Sequence, residues 1–143
     1  MKKIIHYKIC GLEYVYLINA PTKKTKRGES YIDLPMNVIE KAIARKIIED
    51  RIPVRGAEVV FLRKALGMTL NQWAQKLGIT AAGLLKWERA KNKRLSWINE
   101  VAVRSLCADL LEIPLSGKWS KLVTSKDTPE KLALNRQDFK KAA

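Results

Sequence analysis

The chain is short of the residues that most often do chemistry. Its 143 residues include one histidine, His6, and two cysteines, Cys10 and Cys107, far apart in sequence. Neither cysteine has a partner at Cys-x-x-Cys spacing, so neither a zinc knuckle nor a disulfide framework is supported, and both thiols are expected to be buried. A lone histidine without nearby cysteine or carboxylate ligands reads as a surface or strand residue rather than a metal ligand. No Ser or Cys nucleophile has an evident base, and no glycine-rich phosphate cradle occurs. The reading is a protein that is not an enzyme, with no cofactor and no metal. Long apolar runs are missing too. The stretch after Met1-Lys2-Lys3 stops at His6 after two isoleucines, far short of a secretory signal, and no run approaches membrane-spanning length. A cytoplasmic protein without a membrane partner is expected.

Acids are scarce as well. There are 14 against 28 Lys and Arg, for a net charge of +14. The excess is spread along the chain: 12 basic and 6 acidic residues from 1 to 55, nine and five from 56 to 113, and seven and three from 114 to 143. A folded body this basic attracts phosphate backbones, which favours nucleic acid as partner over a merely solvated cationic surface. Nearly half the residues are apolar, and 143 residues suffice for one main core.

Residues 12–20, LEYVYLINA, alternate as a strand does, and Pro21 ends the run. KKTKRGES then has the polarity of a hairpin loop, with YIDL at 31–34 returning as a second strand. Its cationic part, 23–28, is either solvated or grips a DNA backbone or an acidic partner face. Ile39, Ile43 and Ile47 recur every four residues, the stripe of an amphipathic helix that a capping box of Asn37 and Glu40 would start. Pro53 and Gly56 break the pattern, so 51–56 reads as a link.

From 57 to 113 the period is helical in short pieces. Ala57, Val60, Phe61 and Ala65 form one stripe ending at Gly67. Thr69 with Gln72 opens a second helix that closes at Gly78, Thr80 caps a third, and Ser96 opens a longer one that Pro114 ends. The last thirty residues hold Trp119, Leu122, Val123 and Leu132 among charges, and read as a tail that is mobile or weakly docked.

Two short helices joined through Leu77-Gly78-Ile79, with Ala74 giving room for a close crossing, are what a helix-turn-helix needs. The stretch LNQWAQKLGITAAGLLKWERAKNKRL resembles the lambda repressor-like, or XRE, helix-turn-helix family. Leu70-Asn71-Gln72, Ala74, Leu77-Gly78-Ile79-Thr80, Leu84 and Lys86-Trp87-Glu88-Arg89 stand in register, and the supporting helices extend the match to about 57–113. The fold class expected is therefore mainly α: a lambda repressor-like bundle with a small N-terminal β-hairpin plus helix. Its parts are 1–52, a possible partner-binding region; 53–114, the DNA-binding domain; and 115–143, a basic C-terminal tail.

The resemblance implies roles residue by residue. Gln72 would contact phosphate or a base edge. Thr80, Ala81, Ala82 and Leu85 would face the major groove, Lys86 would reach phosphate or a guanine edge, and Lys91, Asn92, Lys93 and Arg94 would lie along the backbone. Trp87 would pack in the core and Glu88 would be tied to a neighbouring cation. The sequence departs from the family at Ala81, Ala82 and Gly83, which carry no hydrogen-bonding side chain where bases are usually read. Alanine still touches a thymine methyl, so affinity should come from phosphates and preference from a few contacts and DNA deformability.

In the last long helix, Val103, Leu106, Leu110 and Ile113 form one line, and Trp97, Val101, Ala108 and Leu111 another. One would close the core and the other would meet a twofold partner, giving a homodimer on a palindrome. Upstream, Cys10-Gly11-Leu12, Val15, Leu17 and Asn19 resemble a stretch that precedes the helix-turn-helix in MqsA-type and HigA-like antitoxins. The paired cysteines that hold zinc in the MqsA type are absent here, so zinc is not carried over. Together these imply a sequence-specific repressor of double-stranded DNA that controls its own promoter, either as the antitoxin of a toxin protein or as a regulator from a mobile element. The alternative is a nonspecific nucleic-acid-binding or protein-adaptor module.

Overall fold

Ile39, Ile43 and Ile47 fall on one side of helix α1 (Met36–Glu49) and are buried there with Ala42, Ala44 and Ile48. The four-residue spacing puts them on a single stripe, and α1 becomes the element on which both halves of the chain pack. The computed structural model describes residues 2–115, 117, 118, 122 and 126–143. The expected Asn37–Glu40 capping box does not form. Pro35 sits at the cap in an extended conformation and its carbonyl accepts from the amides of Val38 and Ile39, so the cap lies two residues earlier than expected and Asn37 is inside the first turn.

The strand read at 12–20 is β2 (Val15–Ile18), with Val15 and Leu17 buried and Tyr16 and Ile18 half-buried. Its partners are not the ones expected. It pairs antiparallel with β1 (Ile4–His6), Ile5 opposite Leu17, and parallel with a strand from the C-terminal end of the chain, Leu132–Leu134. The hairpin lies further on, in a separate two-stranded sheet of β3 (Thr22–Lys24) and β4 (Ser30–Ile32), with Lys23 opposite Tyr31. Asn19, at φ 54, bends the chain out of the first sheet ahead of Pro21, and Gly28, at φ 85, closes the turn between Thr25 and Glu29.

The chain after 126 is built into the fold. Leu132–Leu134 is β5 and Arg136–Ala142 is α6, opened by Asn135, whose side chain accepts from the amides of Gln137 and Asp138. Leu132, Leu134 and Phe139 are buried, and α6 packs along α1. This differs from the weakly docked tail expected: one three-residue strand and one buried phenylalanine are too short for periodicity to register. Trp119 and Val123, named with that tail, lie outside the described residues.

Four more helices follow α1: α2 (Gly56–Ala65), α3 (Leu70–Leu77), α4 (Ala81–Arg89) and α5 (Trp97–Leu110). Their ends are where local chemistry puts them. Thr69 and Gln72 close a reciprocal capping box, Gly78 ends α3 at φ 72, Thr80 accepts from the Gly83 amide, and Ser96 accepts from Asn99. Helix α5 stops at Leu110, short of Pro114, because Glu112 turns to φ 56.

The link at 51–56 is buried. Ile52, Val54, Arg55 and Gly56 lie in the interior, and core residues from Tyr7 to Phe139 join one cluster in a mainly α molecule.

Candidate nucleic-acid interface

Helix α3, the turn at 78–80 and helix α4 are held against the rest of the molecule by their inner faces. Trp73, Ala74 and Leu84 are buried, and Leu77, Ile79 and Ala81 pack on the same core. Glu88, the one acid between residues 68 and 95, points inward. Its carboxylate accepts from Arg63 Nε at 2.7 Å and Nη2 at 3.0 Å, while Arg63 Nη1 donates to the Met68 carbonyl at 3.1 Å. That pair holds the Arg63 guanidinium even more firmly protonated than usual. It also removes the only acid of the segment from the surface.

What remains outside is cationic or polar. On α3, Asn71, Gln72, Gln75 and Lys76 are exposed; on α4, Ala82, Lys86 and Arg89; and after it, Lys91, Asn92 and Lys93. Positions 82, 86 and 89 lie on one helical face. Arg89 belongs to that face and sequence reading passed over it, although its spacing from Ala82 and Lys86 was available to find it.

The loop that follows is anchored through its backbone. The Lys91 carbonyl accepts from Ala57 at 3.0 Å, the Lys93 carbonyl accepts from Gly56 at 3.3 Å, and the Leu95 amide donates to Val54 at 2.9 Å. The side chains of Lys91, Asn92 and Lys93 therefore project from a fixed main chain. Gly56 makes this possible: a Cβ there would run into the carbonyl oxygens of Trp87 and Ala90, the latter at 2.6 Å.

Several predicted residues stand elsewhere than expected. Arg94 is turned inward, its Nε and Nη2 donating to the two oxygens of buried Glu100 at 3.1 and 3.0 Å. Glu100 also accepts from the Val54 amide at 2.8 Å. Arg94 thus joins α5 to the buried link rather than lying along an outer surface. Ala81 and Leu85 are half-buried, and Thr80, though exposed, uses its hydroxyl oxygen as a cap. Gln72 is exposed, yet its Oε1 accepts from the Thr69 amide at 2.9 Å, which leaves its NH2 group as the outward donor. Trp87, half-buried, packs against the core as expected, and Trp73 is fully buried.

On α5 neither expected apolar line is open from end to end. Val103, Ala108 and Leu111 are buried and Val101, Leu106, Leu110 and Ile113 half-buried, whereas Trp97 and Ile98 at its start are 53% and 73% exposed. The lines mix because α5 meets both α1 and α3.

A second ionic cluster joins the N-terminal sheet to α2. Arg55 donates to Glu58 at 2.8 and 2.7 Å and to Glu13 at 2.9 Å, and the Tyr14 hydroxyl donates to Glu58 at 2.9 Å. Burial, with the Glu58 charge beside it, pushes the Tyr14 hydroxyl far above its ordinary range, and the hydrogen bond from Arg55 holds Glu13 below the usual carboxylate range. Burial lifts the Cys107 thiol to about 12. Cys10 is half-buried and donates to the Tyr7 carbonyl at 3.2 Å. Among the described residues no three His, Cys, Asp or Glu side chains gather as a metal site, and no helix is long and apolar enough to cross a membrane. His6 lies in β1, stacked on Tyr16 with ring centroids 4.3 Å apart. Compared with known proteins, the chain matches no family model, no curated protein and no solved structure.

Proposed function

We propose that the protein is a transcriptional regulator that binds double-stranded DNA, with α3 and α4 acting as a lambda repressor-like helix-turn-helix and α4 lying in the major groove. The observation that carries this reading is the outer face of α4. Ala82 leads it with no bulk, Lys86 and Arg89 follow on the same side, and the anchored loop adds Lys91 and Lys93 with no exposed acid between 68 and 95.

The small start lets the helix approach base edges closely, where the methyl group of exposed Ala82 touches a thymine methyl. The cations hold the approach by displacing counterions from phosphates, each contact adding roughly 0.9 to the salt dependence of binding. Direct base reading is thin: the NH2 of Gln72, Lys86 or Arg89 on guanine, and Asn92. Sequence preference then rests on these contacts and on DNA shape. A twofold partner meeting at Trp97 and Ile98 would add a second half-site and make the protein a dimeric repressor of its own promoter. The antitoxin role rests on the resemblance of residues 10–19 and adds a toxin as protein partner, tested by co-expression with the product of a neighbouring gene.

Footprinting on the DNA upstream of the coding sequence, with a salt titration beside it, tests the reading. A protected palindrome whose halves lie about one helical turn apart supports it. Equal, steeply salt-sensitive binding to any duplex overturns sequence-specific regulation in favour of a nonspecific module.

A further inference from the structure

The first sheet and the β3–β4 hairpin enclose an open groove against the start of α1, with a volume of roughly 520 Å³. Ile5, Tyr7, Ile32, Leu34 and Ile39 line it. Around its mouth Ile9, Met36 and Tyr31 are 78%, 56% and 49% exposed. Single exposed apolar side chains are ordinary, but three large ones gathered on one apolar groove are not. Each leaves apolar area in water that a docked partner would bury.

The hairpin beside the groove carries more cations than acids: Lys23, Lys24, Lys26 and Arg27 against Glu29 and Asp33. Lys3 lines the groove and donates to Thr22 at 3.1 Å across it, tying β1 to the hairpin. Lys24, Lys26 and Arg27 lie on the hairpin beyond the lining itself, exposed, and among the described residues none of the three is in an ion pair. Lys23 alone is matched, to Asp33 at 3.4 Å.

We propose that this groove docks an acidic, amphipathic peptide segment of a partner protein. Its apolar side chains enter between Ile9, Tyr31 and Met36, and its carboxylates meet Lys3, Lys24, Lys26 and Arg27. Apolar contacts supply affinity, and the cationic rim sets orientation and rejects basic segments. A second copy of the chain is a poor occupant of this groove, since a twofold contact here would set two identical basic hairpins against each other. Nucleic acid fits the rim better than the interior: Tyr31 offers one ring at the mouth, but Ile5, Ile32, Leu34 and Ile39 inside give bases neither stacking planes nor hydrogen bonds. The groove uses residues between 3 and 39 and shares none with the outer face of α3 and α4, so it stands or falls separately from the DNA reading.

Short random peptides displayed on phage, selected on the full chain, test this. The enriched peptides should combine acids with large apolar residues, and synthetic copies should bind at near-physiological salt. Ile9→Ser with Met36→Ser, both at exposed positions, should weaken them by about ten-fold or more. Lys24→Glu with Lys26→Glu and Arg27→Glu should weaken them similarly and flatten the salt dependence. Lys86→Ala with Arg89→Ala should leave peptide binding unchanged. The proposal is overturned if no peptide is enriched, if the enriched peptides are basic or lack apolar residues, or if neither groove variant weakens them. It is equally overturned if sedimentation finds a dimer that Ile9→Ser separates, or if duplex DNA or RNA displaces the peptide from the groove.

Discussion

Arg63 on α2 grips Glu88 on α4 through two hydrogen bonds of 2.7 and 3.0 Å, between side chains that are 14% and 7% exposed. The pair fixes the inner side of α4 and so decides which of its residues face outward. Glu88→Ala should leave the guanidinium half-buried without its partner and lower stability by about 3 kcal/mol in urea denaturation. A variant as stable as the parent would show that packing alone orients α4.

Gly56 and Gly78 are glycines for different reasons, and their alanine variants should separate. At Gly56 a Cβ meets backbone oxygens that cannot move without breaking the anchored loop, so Gly56→Ala should cost about 3 kcal/mol. At Gly78 nothing lies within 4 Å, and only φ 72 opposes a side chain, so Gly78→Ala should cost about 1 kcal/mol. Equal losses in thermal denaturation would contradict this division.

The cations divide in the same way. Lys86→Ala and Arg89→Ala should each weaken duplex binding and lower the salt slope by about 0.9, with little change in melting temperature. Arg94→Ala should leave Glu100 buried with less compensation and lower the melting temperature instead. Binding measured by anisotropy across a salt series checks both, and an Arg94 variant that is stable but loses DNA would reverse the assignment. Trp87→Ala, at a half-buried site, should weaken the domain without unfolding it.

Phe139 tests whether the end of the chain belongs to the fold. It is 4% exposed and seals α6 on α1, so Phe139→Ala should cost about 3 kcal/mol. A loosely attached tail would tolerate the change with no loss in urea denaturation.

Glu13 is held below the ordinary carboxylate range by Arg55, so the folded state binds its proton less readily than the unfolded chain. The stability this gives is present above the unfolded carboxylate value and is lost as pH falls below it. Between about pH 6 and about pH 3 the parent's melting temperature should therefore fall further than that of Glu13→Gln. Parallel curves would mean that the Arg55 contact adds nothing in solution.

The second half of the chain was legible because its punctuation is local. Thr69 with Gln72, Thr80 with Gly83 and Ser96 with Asn99 are bonds between residues three apart, and Gly78 needs only its own backbone. Such pairs form in any fold that allows a helix, so residue order alone determined where α3, α4 and α5 begin. The isoleucine stripe of α1 was readable for the same reason. Which cations face outward was decided elsewhere. Arg63 and Glu88 are 25 residues apart, Arg55 and Glu13 42, and β2 takes its parallel partner from the far end of the chain. Those contacts depend on how loops close and what burial brings together, which no local pattern encodes. Tertiary structure therefore turned Arg94 onto buried Glu100, left Arg89 at the surface and packed the final helix on the core.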